Sequence, residues 1–92
     1  MDKREVEFNG YKITYSVGMN QFLVVPFVDK AVKCMQSGGV TAKVVGVDVY
    51  KHQKFGDRMV CDITVSDGQC KAKHQYVDMS GDVKKRGVKF ES

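Results

Sequence analysis

The chain has 92 residues, 42% of them hydrophobic and 28% charged, a globular composition with room for one small domain over residues 1–92. Its size excludes a large enzyme with a deep cofactor cleft. Fifteen Lys and Arg against eleven Asp and Glu give a net charge of +4, divided evenly between the two halves of the chain. This mild basicity permits nucleic acid or an acidic protein surface as partner without requiring either. The longest apolar run, Phe22 to Val28, holds seven residues and Pro26, too short for a membrane span.

Taken in chain order, residues 4–16 predict a β-hairpin around Asn9-Gly10, because both central positions of a type I′ turn need positive φ. This turn pairs Phe8 with Tyr11, Val6 with Ile13 and Arg4 with Tyr15. Val6, Phe8, Tyr11, Ile13 and Tyr15 then share the core face, and Glu7 stands opposite Lys12 on the other.

Val28, Ala31, Val32 and Met35 recur at helical spacing. Proline is tolerated in the first turn of a helix, so the spacing predicts a helix from Pro26 to Gln36. The alternative is a kinked helix starting near Asn20. Gly38-Gly39 ends it in either case.

From Val40 the period changes to two. Val45, Val47 and Val49 face one way, and Asp48, Tyr50 and His52 the other. A bulge near Gly46 would bring Ala42 and Val44 to the core face with them. His52 to Gly56 is a polar connection with Phe55-Gly56-Asp57 as its turn.

Residues 57–79 predict a second hairpin, closed by a two-residue Asp67-Gly68 turn. This register sets Ile63 against Ala72, Cys61 against His74, Val65 against Cys70 and Met59 against Tyr76. Asp62 then opposes Lys73 on the outer face. The segment 80–92 is polar and basic, and the alternation of Val88 and Phe90 allows a short edge strand. The order β-β-α-β-β-β predicts an α+β two-layer sandwich, with a curved antiparallel sheet of about five strands packed on one helix.

The three cysteines, Cys34, Cys61 and Cys70, are odd in number and lack Cys-x-x-Cys spacing, so neither a disulfide framework nor a zinc ribbon is expected. No apolar signal core follows the charged start, and a reducing cytoplasm is the expected location. His74 faces Cys61 in this register, but such a cluster lacks a fourth zinc ligand. A histidine hydrogen-bonded inside a small core is the simpler reading. Glycines that cradle phosphates precede a helix, whereas Gly38-Gly39 follows one. The carboxylates form no hydrolytic pair. The expected protein has no catalytic residue, no metal and no cofactor.

Basic residues are the better lead. Lys71 and Lys73 alternate on the outer face of one strand. Lys51, Lys54 and Arg58 flank the preceding connection, and Lys84, Lys85 and Arg86 form the densest run. Tyr50 and Phe55 supply aromatic anchors beside them. The set Tyr50, Lys51, Lys54, Phe55, Arg58, Lys71, Lys73, Lys84, Lys85 and Arg86 is therefore the expected partner-binding surface.

The size, the one helix Pro26 to Gln36 against an antiparallel sheet, and a charged surface without catalytic motif resemble small phage-encoded anti-CRISPR proteins. The strand Val40 to Lys51 after Gly38-Gly39 also looks like a cystatin-type sheet wrapped on a helix, but the Gln-x-Val-x-Gly loop of that family is missing. The anti-CRISPR resemblance implies a non-enzymatic inhibitor that occludes a CRISPR effector complex and its guide RNA, by steric and electrostatic blockade in the host cytoplasm. The alternative is a domain that binds nucleic acid directly through the lysine-bearing sheet face.

Overall fold

A computed structural model describes residues 2–91. The described chain forms β1 (Lys3–Phe8), β2 (Tyr11–Ser16), α1 (Gln21–Ser37), β3 (Lys43–His52), β4 (Arg58–Ser66), β5 (Lys71–Met79) and β6 (Asp82–Glu91). A 3-10 turn, Gln53–Phe55, lies between β3 and β4. The strands form one sheet in the order β1-β2-β3-β4-β5-β6, and α1 covers one of its faces. The fold is α+β. The sheet has six strands where five were expected, and it is mixed, because β2 and β3 run parallel. Adjacent parallel strands need a long crossover, and α1 supplies it.

The first hairpin has the expected register, with Val6 opposite Ile13 and Phe8 opposite Tyr11. Asn9 and Gly10 both have positive φ, 49° and 84°, as a type I′ turn requires.

The helix starts at Gln21 rather than at Pro26. Asn20 caps it, its side chain accepting from the Phe22 N–H at 2.9 Å. Pro26 leaves the Phe22 carbonyl without its usual donor, a cost of about 3 kcal/mol in a helix interior. The extra turn is held by its apolar stripe. Val24, Phe27, Val28, Ala31, Val32 and Met35 are all buried against the sheet, and each large side chain contributes about 1.5–3 kcal/mol. Val24, ahead of the proline, is fully buried, so the core stripe begins one turn before Val28, where the expected stripe starts. At the other end the Gly38 N–H closes on the Cys34 and Met35 carbonyls.

In β3 the register shifts between Val44 and Gly46. Val44, Val47 and Val49 are buried and Ala42 packs against the core, but Val45, the bulge residue, is exposed. Four of the five apolar residues thus reach the core side, not all five.

The β4–β5 hairpin departs from the expected register by two residues. Ile63 lies opposite His74, Val65 opposite Ala72 and Cys61 opposite Tyr76. The two-residue turn fails because Gly68 takes positive φ and Asp67 does not. Instead the Asp67 carboxylate accepts from the backbone N–H groups of Gln69 and Cys70, at 3.2 and 2.9 Å. The loop therefore spans 67–70, and Cys70 is exposed in it rather than packed in the core. A shift of two residues leaves each side chain on its face, so the inward set of Cys61, Ile63, Val65, Ala72, His74 and Tyr76 survives.

Residues 82–91 form a full edge strand. Its turn is Ser80-Gly81, where both residues have positive φ, 59° and 99°. Lys30 of α1 donates to the Gly81 carbonyl and ties the helix to this turn.

Candidate functional site

The face of the sheet away from α1 is organised in rows that cross the strands. One row runs Tyr50, Val60, Val77, Lys84; the next Asp48, Asp62, Gln75, Gly87; the third Gly46, Thr64, Lys73, Lys89. Lys71 lies beside the third row, next to Ser66.

At the centre, Tyr50 donates its O–H to Asp62 at 2.9 Å, and the Gln75 amide donates to Tyr50 and to Asp62 at 3.0 and 3.2 Å. This closed triangle fixes all three side chains. Burial, and then the bond to Asp62, push the Tyr50 phenol up to about 12.

Val60 and Val77 are fully buried although they lie outside the helix-side core. Phe55 sits 5.3 Å from the His52 ring and 4.9 Å beneath the Arg86 guanidinium of β6. This contact joins the connection after β3 to β6, so the Phe55 ring and the long Arg86 side chain together span the width of β4 and β5, neighbouring strands being about 4.8 Å apart. Lys54 approaches the same ring at 6.0 Å, and Arg58 donates to the Ser80 hydroxyl at 3.2 Å.

A groove of about 500 Å³ opens beside the triangle, lined by Asp62, Lys73, Gln75, Gly87, Val88 and Lys89. It exists because Gly87 has no side chain opposite Gln75; a Cβ there would meet nothing within 4 Å.

The structure thus gathers Tyr50, Lys54, Phe55, Arg58, Lys71, Lys73, Lys84 and Arg86 on the outer face or along its rim. Lys51 and Lys85 lie elsewhere. Lys51 is paired with Met59 and Lys85 with Tyr76, both on the helix side, and the Lys85 charge acts on His74. The run Lys84-Lys85-Arg86 is divided because strand residues alternate and Arg86 is the extra residue of a bulge. Reading by sequence missed Asp62 and Gln75 as a fixed pair, and missed Gly87 and Lys89. The pair depends on the two-residue register shift, since the simple turn sets Asp62 against Lys73. Ser80-Gly81, a turn dipeptide, was the signal for the strand that carries Gly87 and Lys89.

His74 is buried, and its Nδ1 has no hydrogen-bond partner, in contrast to the bonded histidine expected. Burial, then the nearby Lys85, lower its pKa below the ordinary value. The three cysteines are free, and burial pushes the Cys61 thiol far up, into its unreactive protonated form. Among the described residues no group of three metal-ligating side chains converges, and no helix is long and apolar enough to cross a membrane.

No protein-family model, curated protein or solved structure matches the chain.

Proposed function

We propose that this is a non-enzymatic binding protein that docks on a nucleic-acid-handling complex through the outer face of its sheet. One observation carries the reading. Topology brings Lys54, Arg58, Lys71, Lys73, Lys84, Arg86 and Lys89, drawn from four segments, onto one face around the fixed aromatic Tyr50 and the Arg86-capped Phe55. Cations beside rigid aromatics suit a phosphate-bearing surface. The triangle holds Tyr50 in place before any partner arrives, which lowers the entropy cost of docking. Blockade of a phage-targeting complex, of the kind anti-CRISPR proteins perform, is the specific form of this reading.

The test is capture by immobilised protein from a bacterial lysate. The expected result is retention of an assembly that contains nucleic acid, lost with Lys71→Glu/Lys73→Glu and with Tyr50→Ala but kept with Lys33→Glu on the helix. Retention of nothing, or of a nucleic-acid-free partner indifferent to these changes, contradicts it.

The second reading, direct binding of nucleic acid, is favoured by the Gly87 groove, which places a ligand-sized recess among the same cations.

A further inference from the structure

The Gly87 groove has two chemically different ends. One is the Asp62–Gln75–Tyr50 triangle. Both Asp62 oxygens already accept a bond, so the carboxylate is held still with acceptor capacity to spare, and the Gln75 amide is fixed beside it. The other end is cationic. Lys73 and Lys89 stand directly opposite each other on β5 and β6.

The cations continue along β6. From Lys84 through Arg86 to Lys89 is five residue steps, about 16 Å of extended chain. Arg86 is steadied by its ring contact with Phe55 at 4.9 Å, and its guanidinium carries several N–H donors suited to phosphate. A cationic line beside a recess with fixed acceptor and amide groups matches one class of molecule, a strand whose phosphates repeat along one side while its bases turn to the other. A duplex keeps its bases stacked and paired inside and cannot place one in the recess.

We infer that the Gly87 groove and the β6 cations seat a single strand of nucleic acid. Phosphates lie along Lys84, Arg86 and Lys89, and one unpaired base enters the groove against Asp62 and Gln75. This rests on the second reading above, direct binding of nucleic acid, and names its site and the strand form it takes.

Gly87 gives a sharp test. Its φ lies outside the left-handed region and a Cβ meets open space, so Gly87→Ile projects a side chain into the groove without backbone strain at the substituted position. Binding of fluorescein-labelled U10, dT10, a ten-base-pair duplex and polyglutamate is read by anisotropy between 20 and 200 mM salt, with circular dichroism verifying each variant's fold. Three phosphate contacts predict a log–log salt slope of about −2 for the single strands. Gly87→Ile should weaken single-strand binding at least about fivefold with the slope unchanged, since it removes the base seat alone. Lys89→Gln should make the slope shallower by about 0.7. Lys33→Gln should do neither. Binding of either single strand in this pattern supports the assignment, and the tighter one identifies the preferred sugar. No binding at 20 mM salt, equal binding of the duplex or of polyglutamate, or indifference to both Gly87→Ile and Lys89→Gln overturns it. Those failures leave the docking reading intact, because capture of the assembly decides that separately.

Discussion

Tyr50 and Asp62 are joined diagonally across β3 and β4 by a 2.9 Å hydrogen bond from phenol to carboxylate. The bond exists only while Tyr50 is protonated. Its phenol is pushed from the ordinary 10 to about 12, by burial first and the Asp62 bond second. A raised acidic group stabilises the fold fully below its unfolded value, and this contribution is lost as pH rises from 10 towards 12. Tyr50→Phe is expected to cost about 0.5–1.5 kcal/mol at neutral pH. Urea denaturation should also show a smaller loss of stability between pH 10 and 12 in the variant than in the parent.

His74 sets the acid side. It is buried, opposite Ile63 and Val88, with Nδ1 unpartnered and its pKa lowered. The unfolded chain therefore takes up a proton more readily than the folded one. The stability this neutral histidine supports is present above its ordinary value of 6.5 and is lost as pH falls through the lower folded value. Urea midpoints measured from pH 7.5 to 4.5 should fall in the parent and fall less in His74→Leu. Equal slopes would contradict the assignment.

The cysteines separate cleanly. Cys34 and Cys70 are exposed and Cys61 is buried. A thiol reagent is expected to modify two thiols in the folded protein quickly and the third only on unfolding. Mass spectrometry of the quenched reaction should place the slow site at Cys61.

Ile63 is fully buried between α1 and the sheet. Ile63→Ala should cost about 2–5 kcal/mol, the usual range for such a cavity, measured by chemical denaturation with an unchanged m-value.

Local chemistry made most of the fold legible in the sequence. Asn9-Gly10 determined its register because both residues accept positive φ. The inward set from Met59 to Tyr76 was legible because strand alternation fixes faces whatever the turn does. The β4–β5 register was not, because Asp67 prefers to accept backbone N–H groups with its side chain rather than adopt positive φ. The helix start was hidden by Pro26, whose local cost is outweighed by burial of Val24 and capping by Asn20. The site was legible as a list of cations but not as a shape. Alternation with Tyr50 and His52 already puts Lys51 on the helix side, whereas the place of Lys85 opposite Tyr76, next to the bulge at Arg86, is specified only by the assembled sheet. The groove depends on an absent side chain, Gly87, opposite Gln75 in a strand whose pairing is long-range.

Strand binding at the Gly87 groove is tested most directly by a titration of ¹⁵N-labelled protein with unlabelled single-stranded U10, followed by amide chemical shifts. Shifts should concentrate at Asp62, Lys73, Gln75, Arg86, Gly87 and Lys89, with the Gln75 side-chain amide among the largest, and α1 from Asp29 to Gln36 should stay undisturbed. Shifts centred on α1 or on β1 and β2, or no shifts at millimolar oligonucleotide and low salt, would contradict it.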